Sequence, residues 1–593
     1  MSLCTLLVSA YSNHFRNGFH FDDGHAIVDN MYVRDMRHIP RYFTDATTFS
    51  VLPLNQSYRP LLQTTFAIDY WIGGYNPVVF QVDTFGWYLL LLGSMAALFK
   101  TITRDSWVTL VAVAIFALHP VSAETVNYIV QRGDLISTLG VVAALGVYAR
   151  WPSQRRRGWY LVPFVCAGLA KPPALVFPAL LAAYVWMFEP RARVQRAIAP
   201  SVGVMVALGW WLSRNTPGTA TTGASDAAGY LWTQPFAVLR YFSMFFAPLG
   251  LSADNDWPLL SGPSDPRVLA GLLFVVVLIA GSWRFSQHDA TRPLAFGIIW
   301  FIVALLPTSL TPLAEVANDH RMFFPFVGLS LAVTEAAALL KRAIVPAARD
   351  AAVAVVVIAV LMAEAAGVYA RNEVWRSDQL LWRDVTQKSP LNGRGWMNYG
   401  LTLMRQGDYV GSIAAFERAL PLTPNYHLLY VNLGIALGQL GRAGEAEGHF
   451  LRAVSLAPAD WRSHVWYAQW LAMVGRGPDA LAHARLAREL NPSDLEAVPI
   501  EQSVIRFAGT PEYFLAQYQM RRFRECIASA RQALALRPSY AEAMNNIAAA
   551  HNALGEWDAG IAAGEEALRL NPSLQIALNN VNYARAQKLQ QAR

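Results

Sequence analysis

What most constrains this chain is a succession of apolar stretches, near 78–99, 107–119, 134–149, 159–171, 173–188, 197–213, 267–283, 293–310, 322–340 and 351–370. A bilayer crossing takes about 20 apolar residues, and most of these stretches approach that length. Lipid offers no partner to a backbone polar group, so such segments are expected as helices packed into a bundle. The N-terminus adds about 11 apolar residues before Asn13 and His14. At about 1.5 Å per residue that is roughly half a hydrocarbon core. Either this first span is truncated by a misplaced start, or it depends on its neighbours. It lacks the basic flank of a cleaved signal peptide.

Charge divides the chain in two. Soluble proteins carry about 25% charged residues, and this one carries 15%. Residues 1–370 hold 46 of them and residues 371–593 hold 43. A membrane-embedded part therefore precedes a soluble part. Cys4, Cys166 and Cys526 are too scattered for a disulfide framework or a cysteine-rich metal site. The formal charge of +7 does not gather on one soluble face, so no nucleic-acid partner is expected.

Basic residues collect in inner loops. Here they cluster at Lys100/Arg104, Arg150/Arg155/Arg156/Arg157, Arg191/Arg193/Arg196, Arg284/Arg292 and Lys341/Arg342/Arg349. All five clusters share a side only if 231–250, broken by Pro235, Arg240 and Pro248, does not cross. The next loop, 251–266, carries Asp254, Asp256 and Asp265 and no basic residue, which supports a re-entrant or interfacial 231–250. The expectation is eleven spans, N-terminus inside and C-terminus outside. Loop 12–77, the turns near 119–134 and 311–321, and the soluble part then share the outer side.

Prolines 390, 424, 458 and 492 recur every 34 residues, as do Pro538 and Pro572. That is the tetratricopeptide period. Tyr430, Leu433, Gly434, Leu437, Ala446, Phe450, Ala453 and Pro458 fit the repeat interior, and Gly407, Gly441, Gly475 and Gly555 share one turn. About five repeats plus a closing helix, 573–590, are expected, interrupted by 12 extra residues around 493–506. Asn398, Asn432, Asn546 and Asn580 occupy one inner-helix position. Such a carboxamide row can hydrogen-bond an extended peptide backbone, and it resembles the asparagine ladder of O-linked N-acetylglucosamine transferase. Asparagine is also simply common at this repeat position.

Charged groups beside a membrane are costly and usually functional. FHFDDGHAIVDN places Asp22 and Asp23 early in the first outer loop. Paired carboxylates can supply a general base and an orienting or metal-binding group; a lone pair is more often a turn or a helix cap. Arg59 follows in the same loop, and the second outer turn brings His119, Glu124, Arg132 and Asp134. Lys171-Pro172-Pro173 and Asn318-Asp319-His320-Arg321 close the set. Arginine and lysine at the outer interface suit a phosphate.

The segments FDDGHAIVDN, YRPLLQTTFAIDY, HPVSAETVNYIVQRGDL, NDHRMFFPFVGL and WRSDQLLWRDVTQKSPLNGRGW, in this order before repeats, resemble the transmembrane and tetratricopeptide-repeat-containing O-mannosyltransferases and their bacterial relatives. These are lipid-phosphate-sugar glycosyltransferases of the GT-C class. The resemblance implies an all-α protein: a GT-C-like membrane domain at 1–370, a docking segment at 371–389 bearing Trp375 and Trp382, and a repeat solenoid at 390–593. It implies an inverting transfer of mannose or another hexose from a polyprenyl-phosphate donor to serine or threonine hydroxyls. Asp22 or Asp23 would be the base, with Asp22 favoured, and Arg59, Arg132 and Arg321 would bind phosphate. His119, Glu124, Asp134, Lys171 and His320 would shape the cavity, and the four asparagines would hold the protein acceptor. No obligatory metal is expected, although a divalent ion is compatible. Two alternatives stay open: a non-enzymatic membrane scaffold, and a glycan ligase or polymerase. Five lysines against 43 arginines point to a GC-rich bacterial genome, hence an inner membrane with the repeats in the periplasm.

Overall fold

The computed structural model describes residues 3–190, 194–218, 223, 226–344, 350–492, 518 and 521–591. The chain divides into two compact units, Met1–Gly395 and Trp396–Arg593. Among the described residues every regular element is helical.

In the first unit six helices are long and apolar enough to cross a membrane: Pro77–Thr103, Ile129–Arg150, Pro266–Ser286, Asp289–Leu310, Asp319–Ala343 and Asp350–Val374. The chain is a multi-pass membrane protein. The expected count of eleven is not reached by this measure, because several apolar stretches form short helices. Ser106–Leu118 has 13 residues and stops before His119-Pro120, and Leu161–Ala170 has 10 and stops at Lys171-Pro172-Pro173. At about 1.5 Å per residue these reach roughly 20 and 15 Å, less than a hydrocarbon core of about 30 Å. The N-terminal helix, Leu3–Ala10, is shorter still. Helix Ala227–Phe246 covers most of the 231–250 stretch. Tyr230, Gln234 and Tyr241 along it bond to carbonyls of Thr308, Val316 and Asn318 at 2.5, 3.0 and 3.2 Å. It also packs against helix Pro266–Ser286, where a Cβ on Gly271 would lie 2.3 Å from the Pro235 backbone.

Two helices meet closely where glycines face each other. A Cβ on Gly297 would lie 2.5 Å from the Gly328 carbonyl, and one on Gly328 only 2.4 Å from Trp300 Cβ. Carboxamides tie other helix ends together. Asn127 donates to the Ala123 carbonyl and to Asn372 Oδ1 at 2.7 and 2.6 Å, and its own Oδ1 receives His14 and Asn17. The last long helix runs on to Val374, past the expected boundary at 370, and a separate helix, Asp378–Lys388, follows, capped by Ser377.

In the second unit helices begin at 393, 427 and 461, then at 541 and 575, keeping the 34-residue period. Gly407, Gly441, Gly475 and Gly555 all take positive φ, between 73° and 81°. That left-handed turn after the first helix of each pair favours glycine. Gly434 lies against the Phe450 ring, where a Cβ would come within 2.8 Å. The expected insertion around 493–506 lies outside the described residues.

Replacing Gly328 by leucine is expected to destabilise the bundle by about 1–3 kcal/mol, as overpacked cores do. A lower melting temperature of the detergent-purified protein would register it; an unchanged melt would contradict the close packing.

Candidate functional site

The loop that follows the N-terminal helix turns sharply at Phe21, which has φ of +49°. A left-handed non-glycine residue costs about 1–2 kcal/mol, so something must hold it there. Phe21 is packed among Tyr128, Trp375 and Trp382, with ring centroids 5.4, 6.0 and 4.7 Å away. The turn sends the two carboxylates in different directions. Asp23 is fully buried and accepts backbone N–H groups of His20 and Val130 at 2.9 and 2.8 Å. Burial pushes its carboxyl up to about 7 despite those bonds. Asp22 remains 48% exposed, with His25 Nε2 3.1 Å from its Oδ1. The Tyr128 hydroxyl accepts the Asp22 N–H at 3.0 Å. Burial raises the Asp22 carboxyl, but His25, the Tyr128 hydroxyl and the Arg59 charge outweigh it and hold it below the ordinary range.

Cations gather on one side of Asp22. Arg59 precedes helix Pro60–Gly73, stacks over Phe49 at 5.2 Å, and feels the charges of Asp22 and Asp134. Its guanidinium has no hydrogen-bond partner among the described residues. Lys171, at the break between two short helices, bonds Asp134 at 2.6 Å and Gln131 at 2.8 Å. Arg321 is held by the Glu315 and Val316 carbonyls and the Tyr230 hydroxyl at 2.9, 3.3 and 3.3 Å. No carboxylate pairs with it among the described residues. Arg59, Lys171 and Arg321 all act electrostatically on the His320 ring, which lies 3.1 Å from Glu124 Oε1. Burial and the neighbouring Asp319 raise the Glu124 carboxyl well above its usual range, which favours the neutral acid there.

Two expected members lie outside this cluster. Arg132, expected to bind phosphate, is fully buried. Its guanidinium is spent on Asp69 at 2.6 Å, Asp83 at 2.9 Å, Thr65, Thr84 and the Phe80 carbonyl. Four of the five N–H donors of the guanidinium are bonded in this way, and Asp83 adds a second ion pair at Nη1, so Arg132 is a structural clamp. His119 is also buried, its ring bonded to the Phe245 carbonyl and the Val121 N–H, each at 3.2 Å. It secures helix Ala227–Phe246 and faces no open site. In the solenoid, Asn398, Asn432, Asn546 and Asn580 sit on first helices and are partly exposed, but Asn580 donates to Asn545 at 2.9 Å. Sequence reasoning missed His25 and Tyr128, although both stand inside the quoted motifs. A histidine three residues after Asp22, one helical turn on, was the available signal.

The architecture is that of a multi-pass helical membrane protein with a repeat solenoid. A tetratricopeptide-repeat family model matches residues 379–427, 431–494 and 514–574. Protein O-mannosyl-transferase Tmtc3 of Drosophila melanogaster is 23% identical over 548 residues, covering 77% of this chain and 58% of that protein. Protein O-mannosyl-transferase TMTC4 of Homo sapiens is 24% identical over 483 residues, covering 69% and 64%. The chain thus spans less than two thirds of these relatives' length. The solved structure of YrrB, a TPR protein with an unusual peptide-binding site, covers 33% of this chain and 96% of its own at 17% identity, with a TM-score of 0.22. The chain is a homologue of the transmembrane, tetratricopeptide-repeat O-mannosyl-transferases.

Removing Arg132 strands the buried Asp69 carboxylate and unpairs the partly exposed Asp83. Arg132→Ala is expected to destabilise the protein by about 3–5 kcal/mol, read as a lower melting temperature. A normal melt combined with selectively weakened donor binding would return Arg132 to the site.

Proposed function

We propose that this protein is an integral membrane glycosyltransferase that moves a hexose from a polyprenyl-phosphate donor to serine or threonine hydroxyls of a protein acceptor, with inversion. The observation that carries this reading is the half-open carboxylate of Asp22 beside Arg59, a cation that acts together with Lys171 and Arg321 on the neighbouring His320 ring. Three cations against two carboxylates, Asp22 and Asp134, leave one net positive charge. A glycosyl phosphodiester carries one negative charge. The acceptor oxygen attacks the anomeric carbon, the bond from that carbon to the phosphate oxygen breaks, and the hydroxyl proton passes to Asp22. Neutralising Asp22 raises the net charge by one as the leaving phosphate monoester gains its second negative charge. Preorganised charge of this kind stabilises a transition state without reorganisation.

Asp22 is the base in this reading and Asp23 supports the turn. His25 and Tyr128 keep Asp22 ionised and oriented. His320 and Glu124 line the phosphate side. The repeats present the acceptor, with the asparagine row as the peptide-binding face. The lysine-poor composition supports a bacterial inner membrane with the site and the repeats in the periplasm. Three fixed cations supply the charge that a metal would otherwise bring, so none is required.

In nanodiscs with a mannosyl polyprenyl phosphate and a serine-containing peptide, Asp22→Asn is expected to lower kcat by about 10²–10⁴-fold with donor affinity little changed. Full activity of a folded Asp22→Asn variant would sink the assignment. The pH profile separates the two carboxylates. A base held below the ordinary carboxylate range is already ionised near neutrality, so kcat is expected to be flat from about pH 6 to 8. If Asp23 were the base, activity would fall as pH drops through about 7. Chelation by EDTA is expected to leave the rate within about twofold; abolition reversed by a divalent ion would place a metal in the reaction.

A further inference from the structure

The segment between the last long helix and the repeats touches both halves of the site. Toward the carboxylates, the His20 ring bonds Asp378 Oδ1 at 2.7 Å and the Trp375 carbonyl at 2.5 Å. His20 also gives its backbone N–H to Asp23. One residue on, Phe21 packs edge-on against Trp382, 4.7 Å between centroids. Trp375 and Trp382 are both buried. Two rings and one histidine clamp from this segment therefore hold the left-handed turn that aims Asp22.

Toward the phosphate side, Lys388 donates to the Leu251 carbonyl at 2.9 Å and Ser389 to the Ser252 hydroxyl at 3.2 Å. Arg394 pairs with Asp254 at 2.7 Å and with Glu315 at 2.9 Å. Residues 251–255 pass this constraint on. The Ser252 N–H and the Asn255 amide hold the Asp319 carboxylate at 2.7 and 3.3 Å. His320 and Arg321 follow Asp319 directly, and the Glu315 carbonyl is one of the groups that aims Arg321. Both ends of the reacting geometry thus hang on one stretch of about 20 residues. Reaction rates depend steeply on such placement, since about 1 Å of misplacement can cost 10²-fold.

We propose that Trp375–Arg394 is a positioning strap for the site, with His20–Asp378 and Phe21–Trp382 setting Asp22, and Arg394 with residues 251–255 setting Asp319 to Arg321. None of the strap residues touches substrate; they are positioning residues. The inference rests on the glycosyltransferase reading for its kinetic consequences but not for its structural ones, and the test uses both.

The full-length protein in nanodiscs is compared with Trp382→Ala, Trp382→Phe and Asp378→Asn, each checked by thermal melt. Hydrogen exchange reports the strap without reference to activity. The peptides covering 19–30 are expected to exchange at least about tenfold faster in Trp382→Ala and in Asp378→Asn, with the helix Asp289–Leu310 unchanged. Trp382→Phe keeps an aromatic ring against Phe21 and is expected to restore most of the protection. Kinetically, kcat is expected to fall about 10–10²-fold with donor KM within about threefold, because an unaimed base impairs chemistry more than binding. Wild-type exchange at 19–30 in a folded Asp378→Asn variant overturns the strap, as does kcat within about twofold of wild type alongside an active parent. If Trp382→Ala does not fold, Asp378→Asn carries the test. If the parent itself transfers no sugar, the glycosyltransferase reading fails, and the exchange result still decides the strap.

Discussion

A charge placed among membrane helices must be compensated there, because lipid and packed side chains solvate it poorly. Two clusters in the first unit answer that constraint in opposite ways. Around Arg132, Asp69 and Asp83 supply two carboxylates, and hydroxyls and a carbonyl take further N–H groups. Two carboxylates and four hydrogen bonds engage this buried group, and it holds helices together. Around Arg59, Lys171 and Arg321 compensation is incomplete: the Arg59 guanidinium has no hydrogen-bond partner among the described residues, and Arg321 rests on two carbonyls and a hydroxyl. Groups left short of counter-charge are poised for an anion.

The same contrast separates neighbouring carboxylates. Asp22 and Asp23 are adjacent in the chain, yet one turn of backbone sends Asp23 into a buried nest of N–H groups and leaves Asp22 half open beside histidine, tyrosine and arginine. Burial raises one carboxyl and its neighbours depress the other. The strained φ at Phe21 makes that divergence possible, and aromatic packing from Trp375 and Trp382 sustains it.

Much of the layout was legible in the residues. The proline and glycine period dictated the helical pairs, since glycine tolerates the left-handed turn and proline cannot continue a helix. Span identity was less legible. Apolar composition alone does not distinguish a full crossing from the short helices ending at His119 and Lys171. Side-chain roles were least legible. Arg132 and Arg321 read alike in sequence, and only their partners differ.

The sequence by itself determined a membrane bundle followed by a repeat array, because apolar length and a 34-residue period are local properties carried by every segment. Tertiary structure decided which polar groups remain available. His25, Tyr128 and Arg59 surround Asp22 from three separate segments, and Trp375–Arg394 returns from far along the chain to brace it. Availability depends on which partners arrive from distant segments, and no local pattern records that.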